Sequence, residues 1–410
     1  MLIKKQILKN LVNNYLKIEY DSIRVSSRIF NFLIIVIFSN MVLNINCSGK
    51  NLWQDAIDNF DDLYELGKFI ESKKAAEYAL DLAKETKSNI NFRLAESHIN
   101  LGMADIALLN LKSAKKSLNM ALEILDKSKK RNHSLHASYN IHIGHIYSLE
   151  GDIPNSMEYL NIARQYFLDN NELQSENYVK LIEIIAQNHF AVGDFKGSEK
   201  LYRESLNLRE KFILDKQNSL AQCSNNLAAL LRIKGELKES EFYIKYALEI
   251  WDRIFSGNHE KIGIGLNNLG VIYKDQGRYE EAEATLSKAL LINEKCLGDD
   301  HFDLAPDYNN MAQLMHSKGN YKAAEEYYQK AINILVQNEE GYRFEIGQIF
   351  ANKGELHFTT GDYTIALECF SNAIDQISFS SMEQKLAILK SLAKRQEQIE
   401  ELINYDLNME

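Results

Sequence analysis

Two short clusters in this sequence contain residue types that can bind a metal ion or transfer a proton. His142 and His145 are three residues apart, so a helix would place both imidazoles on one face. Such a pair can bind a metal or sense pH near neutrality, but zinc needs a third protein ligand, for which Glu183 is the one candidate. We interpret the two histidines as ordinary side chains of a binding groove and predict no metal site.

The second cluster is Asp299-Asp300-His301, which resembles a metal or catalytic site when it is read alone. His301, however, recurs as His259 and His133 at multiples of 42 residues, which favours a role in capping a repeated loop. The sequence also contains no phosphate loop, zinc-protease helix, nucleophile elbow or dinucleotide fingerprint. We therefore predict that the protein is not an enzyme and uses no cofactor.

The overall charge excludes one class of partner. The net charge is -10, although residues 1–46 hold six basic and only two acidic residues. Binding to a phosphate backbone needs clustered lysine and arginine, so we predict no nucleic-acid partner and, without a catalytic site, no small-molecule substrate. The acidic balance favours basic or neutral partners.

The elements that must position these residues repeat eight times at a spacing of 42 residues, from residue 53 to residue 388. Each unit contains apolar residues at helical spacing, a glycine near its middle and a second helical pattern, which together predict an antiparallel helical hairpin. Leu109 occupies the one slot that lacks the glycine. Residues 389–410 predict a C-terminal helix that caps the last repeat.

These units resemble the tetratricopeptide repeat, and the 42-residue period resembles its kinesin light chain type. The resemblance is carried by Asn267-Asn268-Leu269-Gly270, by Gln276-Gly277-Arg278-Tyr279 and by Leu297-Gly298-Asp299-Asp300-His301. It implies an all-α, right-handed superhelical solenoid of about eight hairpins that binds a protein or peptide partner. No heptad region precedes the repeats, so kinesin association itself is not implied.

In this family the first helix of each repeat lines a concave groove, with positions two, five, six and nine pointing inward. Asparagine recurs at positions five and six, where its amide can pair with the backbone of an extended peptide. The alternative is that these amides bond between neighbouring helices and rigidify the stack. The predicted groove residues are Asn100, Asn225, Asn226, Asn267, Asn268, Asn309, Asn310, Asn352, Gln313, His142 and His145.

The N-terminal part predicts export. A basic region, residues 1–28, precedes an uncharged apolar segment, residues 29–46, which orients that segment with its N-terminus in the cytoplasm. Cys47 follows the segment and resembles the lipidation site of bacterial lipoproteins. An uncleaved signal anchor, a cleaved soluble export form and a cytoplasmic protein are the alternatives.

Taken together, the residues predict a non-catalytic binding scaffold that is tethered to a membrane through residues 29–46 or a lipid on Cys47. It would face outward in a bacterial envelope and hold its partner in the concave groove. One alternative is a structural or assembly factor of the envelope that uses its convex surface or repeat ends. The other is a cytoplasmic cargo or signalling adaptor.

Overall fold

The structure is a computed structural model that describes residues 52–85, 92–128, 132–255, 257–337, 339–379 and 385–409. The predictions for residues 1–28, for residues 29–46 and for Cys47 fall outside these ranges. None of the helices within the described ranges has the length and apolar character that crossing a membrane requires.

The described chain from residue 56 onward is built from consecutive helical hairpins, and the predicted all-α solenoid is confirmed. Pairs of helices joined by short turns form the repeats, and a single helix follows the last pair. The helices are α1 (Leu52–Glu65), α2 (Phe69–Glu85), α3 (Phe92–Ala107), α4 (Leu111–Lys127), α5 (His133–Leu149), α6 (Ile153–Asp169), α7 (Glu176–Ala191), α8 (Phe195–Phe212), α9 (Gln217–Ile233), α10 (Leu237–Phe255), α11 (Glu260–Asp275), α12 (Tyr279–Leu297), α13 (Ala305–Ser317), α14 (Tyr321–Val336), α15 (Glu339–Thr360), α16 (Tyr363–Phe379) and α17 (Lys385–Met409), with a 3₁₀ turn at Phe302–Leu304.

Close contact between the two helices of a repeat depends on small residues. A Cβ atom built on Gly270 of α11 would lie 2.6 Å from the Cγ atom of Leu286 on α12, closer than real side chains approach. Ala282 and Ala289 of α12 are fully buried in the same contact. The sequence pattern of small residues therefore marks the positions where the helix backbones meet.

The turn inside each hairpin requires a left-handed backbone conformation, which explains the recurring glycine. Gly277, for example, has a φ of +75° and has open space around it. Leu109 adopts the same conformation, with a φ of +57°, although a side chain makes it unfavourable. The turn geometry is thus imposed by the packing of the two helices rather than by the residue at the slot.

Replacing Leu109 with glycine is expected to raise the free energy of unfolding by about 1 kcal/mol, because it removes the left-handed strain. The leucine side chain is 70% exposed, so little packing is lost. Thermal and urea unfolding of the Leu109→Gly protein measure the effect. The converse substitution, Gly277→Leu, should lower the free energy of unfolding by a similar amount. If both variants were as stable as the parent protein, the explanation would be contradicted.

Histidine at the loop position caps helices in two of its three occurrences. His259 and His301 each accept a hydrogen bond at Nδ1 from a backbone nitrogen two residues later, at 3.2 Å and 3.3 Å. This confirms the loop-capping interpretation of Asp299-Asp300-His301. It is wrong for His133, which is the first residue of α5, because Asn132 provides that cap.

A buried carboxyl group lies between repeats 6 and 7. Asp307 of α13 accepts a hydrogen bond at Oδ2 from Nδ2 of Asn293, at 2.7 Å, and Gly263 of α11 leaves the space that Asn293 occupies. The Oδ1 atom of Asn293 is buried with no hydrogen-bond partner in the described chain. Burial raises the pKa of Asp307 to about 6, so its ionised form is disfavoured in the folded protein.

Since the folded pKa of Asp307 exceeds that of an unfolded chain, the folded protein binds more protons between about pH 4 and pH 6. Its stability should therefore fall as pH rises through that range and stay low above it. Asp307→Asn is expected to remove this fall and to raise the free energy of unfolding at pH 8 by about 3 kcal/mol. The new amide can also donate to Oδ1 of Asn293. Urea unfolding of both proteins at pH 4 and pH 8 measures the difference, and parallel pH profiles would contradict it.

The C-terminal helix α17 covers the last hairpin. Leu392 and Ile399 are buried against the core residues of α16, and Arg395 makes a double contact with Glu355 of α15 at 2.9 Å and 2.6 Å. The described C-terminal helix thus supplies an apolar face where the next repeat would otherwise stack.

Candidate functional site

The recurring asparagines form a ladder across the first helices of repeats 5 to 8. In each step, the position-six amide donates through Nδ2 to the position-five Oδ1 of the preceding repeat. Asn268 donates to Asn225 at 2.8 Å and Asn310 to Asn267 at 3.1 Å. Asn352 closes the ladder by donating to Asn309 at 3.1 Å. The amides therefore do bond between neighbouring helices, as the structural alternative expected.

The ladder does not use all of the hydrogen-bonding capacity of these amides. The Nδ2 atoms of Asn267 and Asn309 and the Oδ1 atoms of Asn268 and Asn310 have no hydrogen-bond partner in the described chain. An amide can donate two hydrogen bonds and accept two. The ladder thus fixes the orientation of each side chain and leaves a donor and an acceptor in each of repeats 6 and 7.

Repeat 5 differs because its amides are already paired. Asn225 is buried and donates through Nδ2 to Oδ1 of Asn226 at 3.4 Å. The same oxygen of Asn226 accepts from Gln222 at 3.1 Å. The predicted groove residues at this repeat consequently have little hydrogen-bonding capacity left.

Two lysine side chains of repeats 5 and 6 donate hydrogen bonds to glutamine amides. Lys274 donates through Nζ to the predicted groove residue Gln313 at 2.8 Å, and Lys261 donates to Gln222 at 2.9 Å. Burial lowers the pKa of both lysines. The charged forms of both lysines are therefore disfavoured, and Nζ of Lys274 also lies 3.7 Å from Oδ1 of Asp275.

The predicted groove residues of repeats 2 and 3 are enclosed. Asn100 and His142 are buried, at 8% and 7% exposure. Burial lowers the pKa of His142 to about 3 and that of His145 to about 4, so both imidazoles are neutral at neutral pH. No group of metal-ligating side chains is found within the described ranges.

Glu183, the candidate third ligand, is paired elsewhere. Its carboxylate accepts from Nε and Nη2 of Arg209, each at 2.8 Å, and from the Ser205 hydroxyl. Arg209 is 1% exposed. Burial opposes the guanidinium charge, but the Glu183 carboxylate more than offsets this and leaves the pKa of Arg209 raised. Glu183 therefore neutralises a buried arginine within its own repeat.

A group of hydrogen bonds joins repeat 1 to repeat 5, and we call its residues the latch: Glu65, Asn218, Ser219 and Trp251. The Glu65 carboxylate accepts from the backbone nitrogen of Ser219 at 3.0 Å and from its hydroxyl at 2.8 Å. Asn218 donates through Nδ2 to the backbone carbonyl of Glu65 at 2.6 Å and accepts from Nε1 of the buried Trp251 at 2.8 Å. The latch also caps helix α9. Lys216, the residue at the cap position of α9, makes no side-chain cap, so Glu65 caps that helix from another repeat.

The latch shows that the first helices lie on the inside of the curve. Sequence neighbours in the array stack side by side, so α1 and α9 can meet only if the intervening repeats complete a turn. Consistent with this, burial raises the pKa of the Tyr64 hydroxyl on α1, and the charges of Lys180 and Glu176 on α7 act on it. Repeats 1 to 4 therefore enclose their inner face, and the unpaired amides of repeats 6 and 7 lie beyond this closed turn.

Sequence reasoning missed the latch because its partners are separated by 154 residues. The one local signal is the missing cap at Lys216, since other first helices begin after Asn132, Ser175 or His259, whose side chains cap them. A missing cap shows that a donor needs a partner but not where that partner lies in the chain.

Part of the chain matches a known family model. Residues 261–335 match the tetratricopeptide repeat family. The structure is similar to a Rap protein complexed with Competence and Sporulation Factor, at 13% identity and a TM-score of 0.56, covering 86% of this chain and 98% of that one.

Two further solved structures are similar to this one. The apo form of RapI has 16% identity and a TM-score of 0.54, covering 70% of this chain and 98% of that one. The kinesin light chain TPR-like repeats of Podosopora anserina have 15% identity and a TM-score of 0.43, covering 51% and 98%. No curated protein sequence matches the chain. At these identities the structural likeness establishes the fold alone.

Proposed function

We propose that this chain is a non-catalytic scaffold that binds an extended segment of a partner protein along the inner face of the array, centred on repeats 6 and 7. The observation that carries the proposal is the set of unpaired donors and acceptors on the asparagine ladder. A peptide backbone presents the complementary groups, one carbonyl and one N–H group per residue.

The spacing of the ladder suits an extended peptide. Axes of packed helices lie about 8–10 Å apart, and an extended chain advances about 3.3 Å per residue. Each repeat would therefore meet the peptide about every third residue. A net hydrogen bond contributes about 0.5–1.5 kcal/mol, so several of them support modest affinity that side-chain contacts must increase.

The test uses substitutions that keep the ladder and remove only its free donors. In Asn267→Asp and Asn309→Asp, Oδ1 still accepts from Asn310 or Asn352, but the Nδ2 donors are gone. We expect the double variant to lose at least tenfold in partner captured from native membranes, while its helicity and melting midpoint stay unchanged. The matched control is Asn333→Asp on the exposed surface of α14. Equal capture by the variant and the parent would contradict use of the inner face and favour the convex surface or repeat ends.

We further propose that the array is tethered on the extracytoplasmic side of a membrane through residues 29–46 or a lipid on Cys47. The support is the sequence alone: basic residues precede an uncharged apolar segment that ends at a cysteine. Metabolic labelling with a fatty acid, compared between the parent and Cys47→Ala, tests lipidation. Loss of the label is expected, whereas equal labelling excludes the lipid. Protease accessibility of intact cells then separates an uncleaved anchor from a cytoplasmic protein.

A further inference from the structure

A cavity of about 250 Å³ lies between repeats 7 and 8, beside the last step of the asparagine ladder. Its floor is apolar. Leu335 of α14 and Ile349 of α15 are buried there, and the rings of Phe302 and Tyr342, whose centroids are 5.1 Å apart, form one wall. An apolar floor of this kind favours an apolar occupant over water.

The mouth of the cavity is polar and negatively charged. Asn309, whose Nδ2 atom has no partner in the described chain, and the exposed Gln348 lie at the opening. Two exposed carboxylates, Asp303 and Glu345, also line it. The part of a bound ligand that extends out of the cavity therefore passes between amide groups and acidic side chains.

A local departure from helical geometry lies beside the cavity. Tyr342 has φ −126° and ψ 21° within α15, where two helices meet at a kink. The tyrosine ring contacts Phe302 of the 3₁₀ turn that precedes α13. The residue at the kink therefore lines the cavity together with Phe302.

We propose that this cavity is a specificity subsite that takes one apolar side chain, the size of leucine, methionine or phenylalanine, from a peptide that carries lysine or arginine next to it. The inference rests on the proposed function, because the same peptide would pair with the asparagine ladder. It adds the chemical class of the partner segment.

The size of the cavity decides between a side chain and a whole ligand. A dry apolar cavity of about 150 Å³ accommodates benzene, so about 250 Å³ accommodates one large apolar side chain. Sites for whole small molecules are typically larger, at about 300–1,000 Å³. The acidic mouth favours a basic residue in the peptide next to the apolar one, because a cation at the mouth pairs with Asp303 or Glu345. An acidic residue at the same place is repelled.

The experiment selects a phage-displayed library of random dodecapeptides against the immobilised full chain. We expect enriched peptides to share an apolar residue adjacent to lysine or arginine. A fluorescein-labelled copy of the most enriched peptide is the probe for affinity measurements by fluorescence anisotropy. Replacing its apolar residue with alanine should weaken binding about tenfold or more.

Two pairs of protein variants locate the binding. Gln348→Trp covers the cavity mouth and should weaken the probe about tenfold or more, whereas Gln329→Trp on the exposed face of α14 should not. Glu345→Lys should weaken a probe with arginine and strengthen one with glutamate at the same place. Glu326→Lys, the matched change on the outer surface, should alter neither.

The outcomes separate this inference from the proposed function. Enriched peptides without an apolar preference, or equal affinity of Gln348→Trp and the parent, overturn the subsite even if Asn267→Asp, which lies outside the cavity lining, still weakens the probe. Loss of binding in Gln348→Trp with no effect of Asn267→Asp supports the subsite and overturns the ladder. Failure to enrich any peptide overturns both.

Discussion

Replacing Glu183 with leucine is expected to lower the free energy of unfolding of repeat 4 by about 3–5 kcal/mol. The reason is that Arg209, at 1% exposure, would keep its charge and lose the carboxylate that holds two of its nitrogens. An uncompensated charge in a dry interior costs several kcal/mol. The Nη1 atom of Arg209 already lacks a hydrogen-bond partner in the described chain.

The control is the double variant Glu183→Leu with Arg209→Met, which removes both charges and keeps the volume apolar. Such replacements are often neutral or stabilising, so most of the lost stability should return. Urea unfolding followed by circular dichroism measures both proteins, with hydrogen exchange to locate the effect, since repeat arrays do not always unfold in one step. A single variant as stable as the parent would show that the ion pair contributes nothing net.

Removing the latch carboxylate by Glu65→Ala is expected to cost about 3 kcal/mol and to release repeat 1 from repeat 5. Glu65 accepts two hydrogen bonds at its carboxylate, and bonds to charged groups contribute about 1.5–3 kcal/mol each. Helix α9 would also lose its only observed side-chain cap among the described residues. The expected result is amide exchange at Ser219 about 100-fold faster.

Glu77→Ala is the matched control, because Glu77 is exposed on α2 and lies outside the latch. Its exchange at Ser219 should equal that of the parent. Glu65→Gln keeps an acceptor oxygen without the charge and should fall between the two. Parent-like exchange in Glu65→Ala would mean that the latch does not hold the first turn closed.

The asparagine ladder could be predicted from the sequence only in part. Recurrence at one register position placed Asn268, Asn310 and Asn352 on a common face, and the structure shows that face. The sequence could not show which atoms of each amide remain free, because this depends on how far neighbouring first helices are shifted relative to each other. The same shift decides that position six of one repeat pairs with position five of the preceding repeat.

By itself, the sequence determined the repeat length, the hairpin in each unit and the small residues where helices meet, because each of these is a local pattern repeated in register. Only the tertiary structure decided how the array curves, that Glu65 meets Ser219, that Glu183 pairs with Arg209 and that Tyr342 lines a cavity. The physical reason is that curvature sums small rotations between stacked repeats, and contacts between distant repeats depend on that sum. A local pattern fixes each repeat but leaves the total rotation to packing.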